Sequence, residues 1–187
     1  MNFDSRFVYG LVAALVMHSD IFLAKAYYDR PLELDGAVLE HQGGRVTELL
    51  VRPMLAAFYP QLARLYQPLA GEYAFRRTSV ENMGFFSGYG VEIGLVLDIA
   101  RVWGISHIAQ VDMGVRRHRN RSIRDLGKMS FEIVQAMLKK LERYGILSMH
   151  MPLHTTMISP DSSGGFEETA LEEIELPPAA KIQQGNR

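Results

Sequence analysis

From Gly114 to Arg121 the sequence reads Gly-Val-Arg-Arg-His-Arg-Asn-Arg, four arginines and one imidazole directly after an apolar, strand-like run. Adding Arg124 and Lys128, residues 116–128 hold six cations against the single acid Asp125, in a chain whose formal net charge is −1. A charge run of this kind is commonly a solvated face. The excess of arginine over lysine points further, because a planar guanidinium binds phosphate or carboxylate through two parallel hydrogen bonds. Two glycine-marked stretches could serve the same chemistry. In Gln42-Gly43-Gly44-Arg45-Val46-Thr47-Glu48 a glycine pair runs into a helical pattern, so amides at a helix start, a cation and a hydroxyl could converge on an anion. A plain loop with Thr47 as helix N-cap explains the same residues. Gly88-Tyr89-Gly90-Val91-Glu92-Ile93-Gly94 opens another helix with Glu92 in its first turn, where a carboxylate also simply favours the helix dipole.

The elements that must position these residues belong to an ordinary globular chain. Its 187 residues are 48% hydrophobic and 22% charged, which suits one domain with a real core. There is no cysteine, which excludes disulfides, thiolate metal sites and a cysteine nucleophile. The charge balance excludes a generally basic nucleic-acid coat, so anion binding must be local. The apolar run from Phe7 to Met17 is interrupted by His18-Ser19-Asp20 and is too short to span a bilayer; it reads as a core helix, not a leader.

In chain order, Asp4 or Ser5 caps a helix over 6–17, and 21–28 is a strand with Lys25 at an edge or facing solvent. A hairpin-like stretch turns at Asp35-Gly36. A helix follows the Gly43-Gly44 pair, with Pro53 tolerable near its start or at a kink. Residues 65–74 form an irregular strand or two short ones around a bend, and Ser79 caps a short helix. The helix opened by Gly88 to Gly94 runs to Trp103 and stops at Gly104, with Asp98 and Arg101 paired on its exposed side. A strand covers 107–113. An amphipathic helix over 128–144 buries Met129, Ile133, Met137, Leu141 and Tyr144 and turns Lys139, Lys140, Glu142 and Arg143 outward. Residues 151–187 are expected as an acidic, flexible tail, since 161–187 holds six acids against two bases. His154 carries no ligand assignment.

Four of these islands, in order, resemble glucosyl-3-phosphoglycerate synthase. They are Gly43-Gly44-Arg45-Val46-Thr47-Glu48-Leu49, Gln67-Pro68-Leu69-Ala70-Gly71-Glu72-Tyr73, Gly88-Tyr89-Gly90-Val91-Glu92-Ile93-Gly94, and Ala109-Gln110-Val111 through Gly114-Val115-Arg116-Arg117-His118-Arg119-Asn120-Arg121. The resemblance covers about residues 2–145. It implies an α/β fold, the C-terminal portion of a GT-A-type nucleotide-diphospho-sugar transferase, with a mixed sheet and flanking helices, residues 1–150 forming the acceptor-binding and catalytic part. The implied reaction is transfer of glucose from UDP-glucose to 3-phosphoglycerate with retention. His118 is implied as a ligand of a divalent cation, Mg²⁺ or Mn²⁺, which a neutral imidazole suits. Gly44, Arg45, Thr47 and Asn120 are implied for the acceptor, Tyr89 and Glu92 for the donor sugar. Arg116 would offset charge on the departing diphosphate, and Leu69 would place its main-chain carbonyl near the anomeric centre.

One departure is large. The family's nucleotide-binding half, ending in an Asp-x-Asp motif, precedes the region matched here, and Asp4, Asp20 and Asp112 do not stand in that context. The expectation is therefore that this chain alone has little transferase activity, acting with a separately encoded half or deriving from a split or mis-started gene. A cytoplasmic location, no membrane association and a homodimer follow from the family. The rival reading is a non-catalytic anion- or nucleic-acid-binding module using Arg116 to Arg124; few interleaved aromatics and the net charge count against nucleic acid.

Overall fold

The computed structural model describes residues 4–29, 31–34, 37–39, 44–116 and 121–185. Helix α1 (Ser5–Met17) starts where Asp4 accepts from the Arg6 amide at 2.8 Å. Phe7, Leu11 and Leu15, four apart, form its buried face, which packs on the sheet. Strand β1 (Leu23–Asp29) follows. Leu23 to Ala26 are all buried, as in a strand covered on both faces. Lys25, expected at an edge, is only 3% exposed, because β1 has a partner on each side and the ammonium donates inward to the Ala70 carbonyl at 2.5 Å.

Strands β2 (Leu32–Leu34) and β3 (Ala37–Leu39) pair antiparallel, as the hairpin pattern predicts; the turn at Asp35-Gly36 lies outside the described residues. The next helix starts at Arg45, widens into a π-type turn over Thr47–Val51 and continues as α2 (Arg52–Phe58), with Pro53 in its first turn. Thr47 is buried within it and makes no side-chain cap. After an irregular stretch comes β4 (Tyr73–Phe75), then α3 (Arg77–Val80). Ser79 does not cap α3 but lies inside it, its hydroxyl donating to the Arg76 carbonyl at 2.6 Å.

The two-residue strand β5 (Phe85–Phe86) precedes α4 (Val91–Val102), which ends at Gly104 with φ 99°. Strand β6 (Ile108–Val115) returns parallel to β1, Leu23 opposite Ile108, while β4 pairs antiparallel on the other side, giving a mixed sheet in the order β4-β1-β6. Helix α5 (Ile123–Arg143) begins ahead of the expected 128, because Ser122 caps it by accepting from the Asp125 amide at 3.1 Å. Its Ile133, Ala136 and Met137 join Ile93, Val96 and Leu97 of α4 in the main core with Leu23, Val51 and Leu55. Among the described residues no helix is long and apolar enough to cross a membrane.

Two side-chain expectations fail between α4 and α5. Asp98 is not on an exposed face paired with Arg101, and Lys140 does not face outward. Both are buried, with the Lys140 ammonium 2.5 Å from Asp98 and 2.7 Å from Glu175, and the Tyr144 hydroxyl also donating to Asp98. A lysine at that depth requires such partners. Glu175 belongs to the stretch expected as a tail. That stretch instead folds back: β7 (Thr156–Pro160) and β8 (Phe166–Ala170) form a hairpin, β9 (Glu175–Leu176) pairs with β5, and α6 (Ala179–Gly185) follows. Its short strands carry no strong pattern of their own; β7 and β8 hold each other, and β9 is held by β5, far away in sequence.

Candidate functional site

Parallel strands β1 and β6 end side by side, and a cleft of about 610 Å³ opens at their carboxyl ends. Open α/β sheets bind ligands in this place, because the loops leaving parallel strands splay apart there. Tyr27 to Asp29 of β1 and Asp112, Gly114 and Val115 of β6 form its floor. Gly44 and Thr47 at the helix start form one wall, Leu69 and Ala70 another.

Each wall is fixed by identifiable bonds. Gly44 takes φ 76°, a conformation that favours glycine, and its carbonyl accepts from the Glu48 amide at 3.0 Å, starting the helix. Arg52 ties the walls together. Its guanidinium pairs with Glu48 at 2.8 Å and donates to the carbonyls of Ala63, Leu65 and Tyr66 at 2.6, 3.0 and 2.9 Å. Tyr66 stacks on Tyr27 with ring centroids 4.6 Å apart, and the Gln67 amide donates to the Tyr28 carbonyl. The loop bearing Leu69 is thereby pinned at several backbone points, as presenting a main-chain carbonyl at a fixed place requires. Burial, then Asp112, pushes the Tyr27 hydroxyl above its ordinary pKa, so it stays protonated and able to donate.

Arg116 lies beneath this floor. It is 5% exposed, paired with Glu72, and its guanidinium sits 5.3 Å over the Tyr28 ring. The Tyr28 hydroxyl donates to the same Glu72 at 3.0 Å, and the Arg116 amide to the Asp29 carbonyl at 2.9 Å. Its charge is thus already compensated within the chain. Glu92 stands behind the Leu69 loop, its carboxylate 3.5 Å from where a β-carbon on Gly71 would lie. Burial raises its pKa, opposed by a backbone hydrogen bond and by Lys25, and Glu92 in turn helps burial raise that of Tyr73.

The remaining described candidates form a second group. Arg45 donates to the Arg121 carbonyl at 2.9 Å, and the Arg121 guanidinium lies 5.2 Å over the Tyr89 ring while donating to its hydroxyl. The structure therefore brings Gly44, Thr47 and Leu69 to one cleft, places Arg116 below it and Glu92 behind it, and joins Arg45 to Tyr89 through Arg121. His118 and Asn120 lie outside the described residues. Among the described residues no three His, Asp or Glu side chains gather as a cation site, so the described part of the chain does not make a metal centre by itself. Arg124, Arg121 and Arg116 are each engaged internally, Arg124 with Glu167 at 3.2 Å, which counts against an open cationic face.

Sequence reasoning missed Arg52, Glu72, Tyr28 and Gln67. The Glu48–Arg52 spacing of four on a helix was a usable signal for the first. Tyr27-Tyr28-Asp29, ending a strand in an α/β chain, was one for the floor.

Comparison with known proteins bears on what such a cleft serves. No family model matches the sequence. The chain is 42% identical over 186 residues to glucosyl-3-phosphoglycerate synthase of Petrotoga mobilis, covering 98% of this chain and 57% of that protein. It is a homologue of part of the glucosyl-3-phosphoglycerate synthases. The enzyme of that name from Mycobacterium tuberculosis is 45% identical over 143 residues, 75% of this chain and 44% of the relative. A crystal structure of the Mycobacterium tuberculosis glucosyl-3-phosphoglycerate synthase in complex with Mn²⁺, UDP-glucose and phosphoglyceric acid superposes with a TM-score of 0.78 at 34% identity, covering 94% of this chain and 55% of that one. The chain thus spans about half the length of the glucosyl-3-phosphoglycerate synthases it matches. The likeness carries the fold class as well: the chain has the mixed-sheet α/β fold of part of the GT-A-type structures it matches, and the coverage fits a C-terminal portion.

Proposed function

We propose that this chain forms the acceptor-binding part of a retaining glucosyltransferase that moves glucose from UDP-glucose to 3-phosphoglycerate. The observation that supports it best is the convergence of Gly44, Thr47 and Leu69 on the cleft at the carboxyl ends of β1 and β6. In this reading Gly44, Arg45, Thr47 and Asn120 receive the phosphate and carboxylate of the acceptor, through helix-start amides, a hydroxyl and a guanidinium. Tyr89 and Glu92 orient the donor sugar, Glu92 accepting from sugar hydroxyls. The Leu69 carbonyl lies beside the anomeric carbon. The acceptor hydroxyl attacks that carbon on the face from which the diphosphate departs; the carbon–oxygen bond to the diphosphate breaks as the new one forms, and the hydroxyl proton goes to the departing phosphate oxygen. Arg116, its charge compensated by Glu72, supports the Tyr28–Asp29 floor from below. His118 is the ligand this chain would give to Mg²⁺ or Mn²⁺, a cation that offsets diphosphate charge when bound.

The matched relatives extend beyond the span covered here, so turnover is proposed for this chain together with a donor-binding half, on the same or a separate polypeptide. A cytoplasmic enzyme working as a homodimer fits the phosphorylated substrates and the family. The test is calorimetric titration of the 187-residue chain with 3-phosphoglycerate. Native protein should bind it, and Arg45→Ala should weaken binding about tenfold with unfolding temperature unchanged, the loss of a charge-assisted hydrogen-bond pair. Absence of binding at millimolar ligand would refute the reading.

A further inference from the structure

The acidic segment after the β7–β8 hairpin runs back onto the loop that opens α4. Glu173 is fully buried there, at 0% exposure. Helix α5 fixes its main chain on both sides: its amide donates to Gln135 at 3.3 Å, and its carbonyl accepts from Lys139 at 2.6 Å. Its carboxylate then faces Gly88-Tyr89-Gly90, accepting from the Gly88 amide at 2.8 Å. Glu132 of α5 comes in alongside and accepts from the Tyr89 amide at 3.0 Å. Two successive amides ahead of α4, which the helix itself cannot satisfy, therefore go to two carboxylates.

The glycines record how close this contact is. A β-carbon on Gly88 would stand 2.4 Å from a Glu173 oxygen and 2.5 Å from a Glu132 oxygen, and one on Gly90 would stand 2.4 Å from the Ala136 β-carbon. Gly90 has φ −79°, so no special backbone conformation demands a glycine. Close approach does. What the two carboxylates hold is the backbone of Tyr89, whose hydroxyl and ring face hold Arg121, whose carbonyl holds Arg45.

We propose that Glu173 and Glu132 are positioning residues, a brace from the C-terminal segment and α5 that fixes the Gly88–Gly90 loop and, through Tyr89 and Arg121, sets the Arg45 guanidinium for the acceptor anion. This rests on the reading of Arg45 as an acceptor contact and extends it. The segment read from sequence as a tail becomes part of the apparatus that orients the site.

The test uses the full 187-residue chain as native protein, Glu173→Gln and Glu173→Ala, with residue-resolved amide exchange and 3-phosphoglycerate titration on each. Glu173→Ala should speed exchange at Gly88 while amides of Met137 to Leu141 stay protected, and should weaken 3-phosphoglycerate binding about three- to tenfold. Glu173→Gln keeps an acceptor oxygen and should restore both. Unchanged exchange in Glu173→Ala overturns the brace, and freed amides with native affinity overturn the link to Arg45. Where Glu173→Ala unfolds, Glu132→Ala, which frees the Tyr89 amide alone, is read by the same two criteria. Should native protein fail to bind 3-phosphoglycerate, the acceptor reading falls on its own and the proposed link to Arg45 falls with it, while exchange at Gly88 and Tyr89 still decides the brace.

Discussion

Arg116 below the cleft and Lys140 between α4 and α5 are both almost wholly buried cations, 5% and 1% exposed, yet their surroundings differ in kind. Lys140 is enclosed by Asp98 and Glu175, with Arg143 pairing to Glu175 at 2.6 Å, and the set joins α4, α5 and β9. Arg116 pairs with Glu72 and lies under Tyr28, whose neighbours Tyr27 and Asp29 line an open cleft. Burial of charge alone therefore does not mark a site. A buried cation marks one when its supports end at a cavity where strand ends and a helix start converge.

Breaking the closed set should give the largest effect. Lys140→Ala leaves Asp98 and Glu175 buried without their shared cation, and removal of one partner from such a group costs about 3–5 kcal/mol. Chemical denaturation should read that loss, with 3-phosphoglycerate affinity of the folded fraction unchanged. Loss of affinity in folded protein, or a stability change too small to measure, would erase the distinction between the two regions.

The cleft side should respond more mildly in stability and more strongly in binding. Glu72→Gln keeps the shape but removes the charge that faces Arg116, and a buried charge that loses its ionic partner while retaining a hydrogen-bonding one costs about 1–3 kcal/mol. The Arg116 charge is then uncompensated and its field at the cleft grows. Binding of an anionic acceptor should tighten while unfolding temperature falls. Unchanged affinity with a lower unfolding temperature would place Glu72 in the same structural category as Glu175.

What could be read from sequence divides along the same line. α1 and the later part of α5 were legible because their apolar residues recur at helical spacing, and β1 and α4 as apolar runs closed by Asp29-Arg30-Pro31 and by Gly104. The burial of Lys25 and Lys140 was not, since the groups that accept them, the Ala70 carbonyl in one case and Asp98 with Glu175 in the other, lie about forty residues away in sequence. β9 was invisible for the same reason: two residues have no period, and their partner is β5. At the candidate site, the glycine pair ahead of a helix pointed to Gly44 and Thr47 and the family resemblance alone to Leu69; all three line the cleft. Glu173 acts across the fold and left no comparable local mark, and for Arg52 only the spacing of four from Glu48 was local.

The smallest effect separates two carboxylates on one segment, and it is a matter of pH. Burial, with Glu132 adding to it, holds the Glu173 pKa above the ordinary value, against the pull of the Gly88 and Gly90 amides. Glu175 is also buried, but Arg143 and Lys140 overcome that and hold its pKa below the ordinary value. An acid that binds its proton more tightly when folded contributes stability that is full below its unfolded pKa and is lost as pH rises through the folded one. Glu175 does the reverse, contributing above its unfolded pKa and losing that contribution as pH falls through the folded one. Between neutral pH and the ordinary carboxylate range, native protein should therefore gain stability from Glu173 on mild acidification, and Glu173→Gln, which cannot ionise, should not show that gain. Glu175→Gln should unfold at lower temperature near neutrality and converge on native protein in strong acid. Unfolding temperature against pH for the three proteins decides the matter. If Glu173→Gln tracks native protein across the whole range, the carboxylate ionises freely where it lies, and the contrast between the two residues is lost.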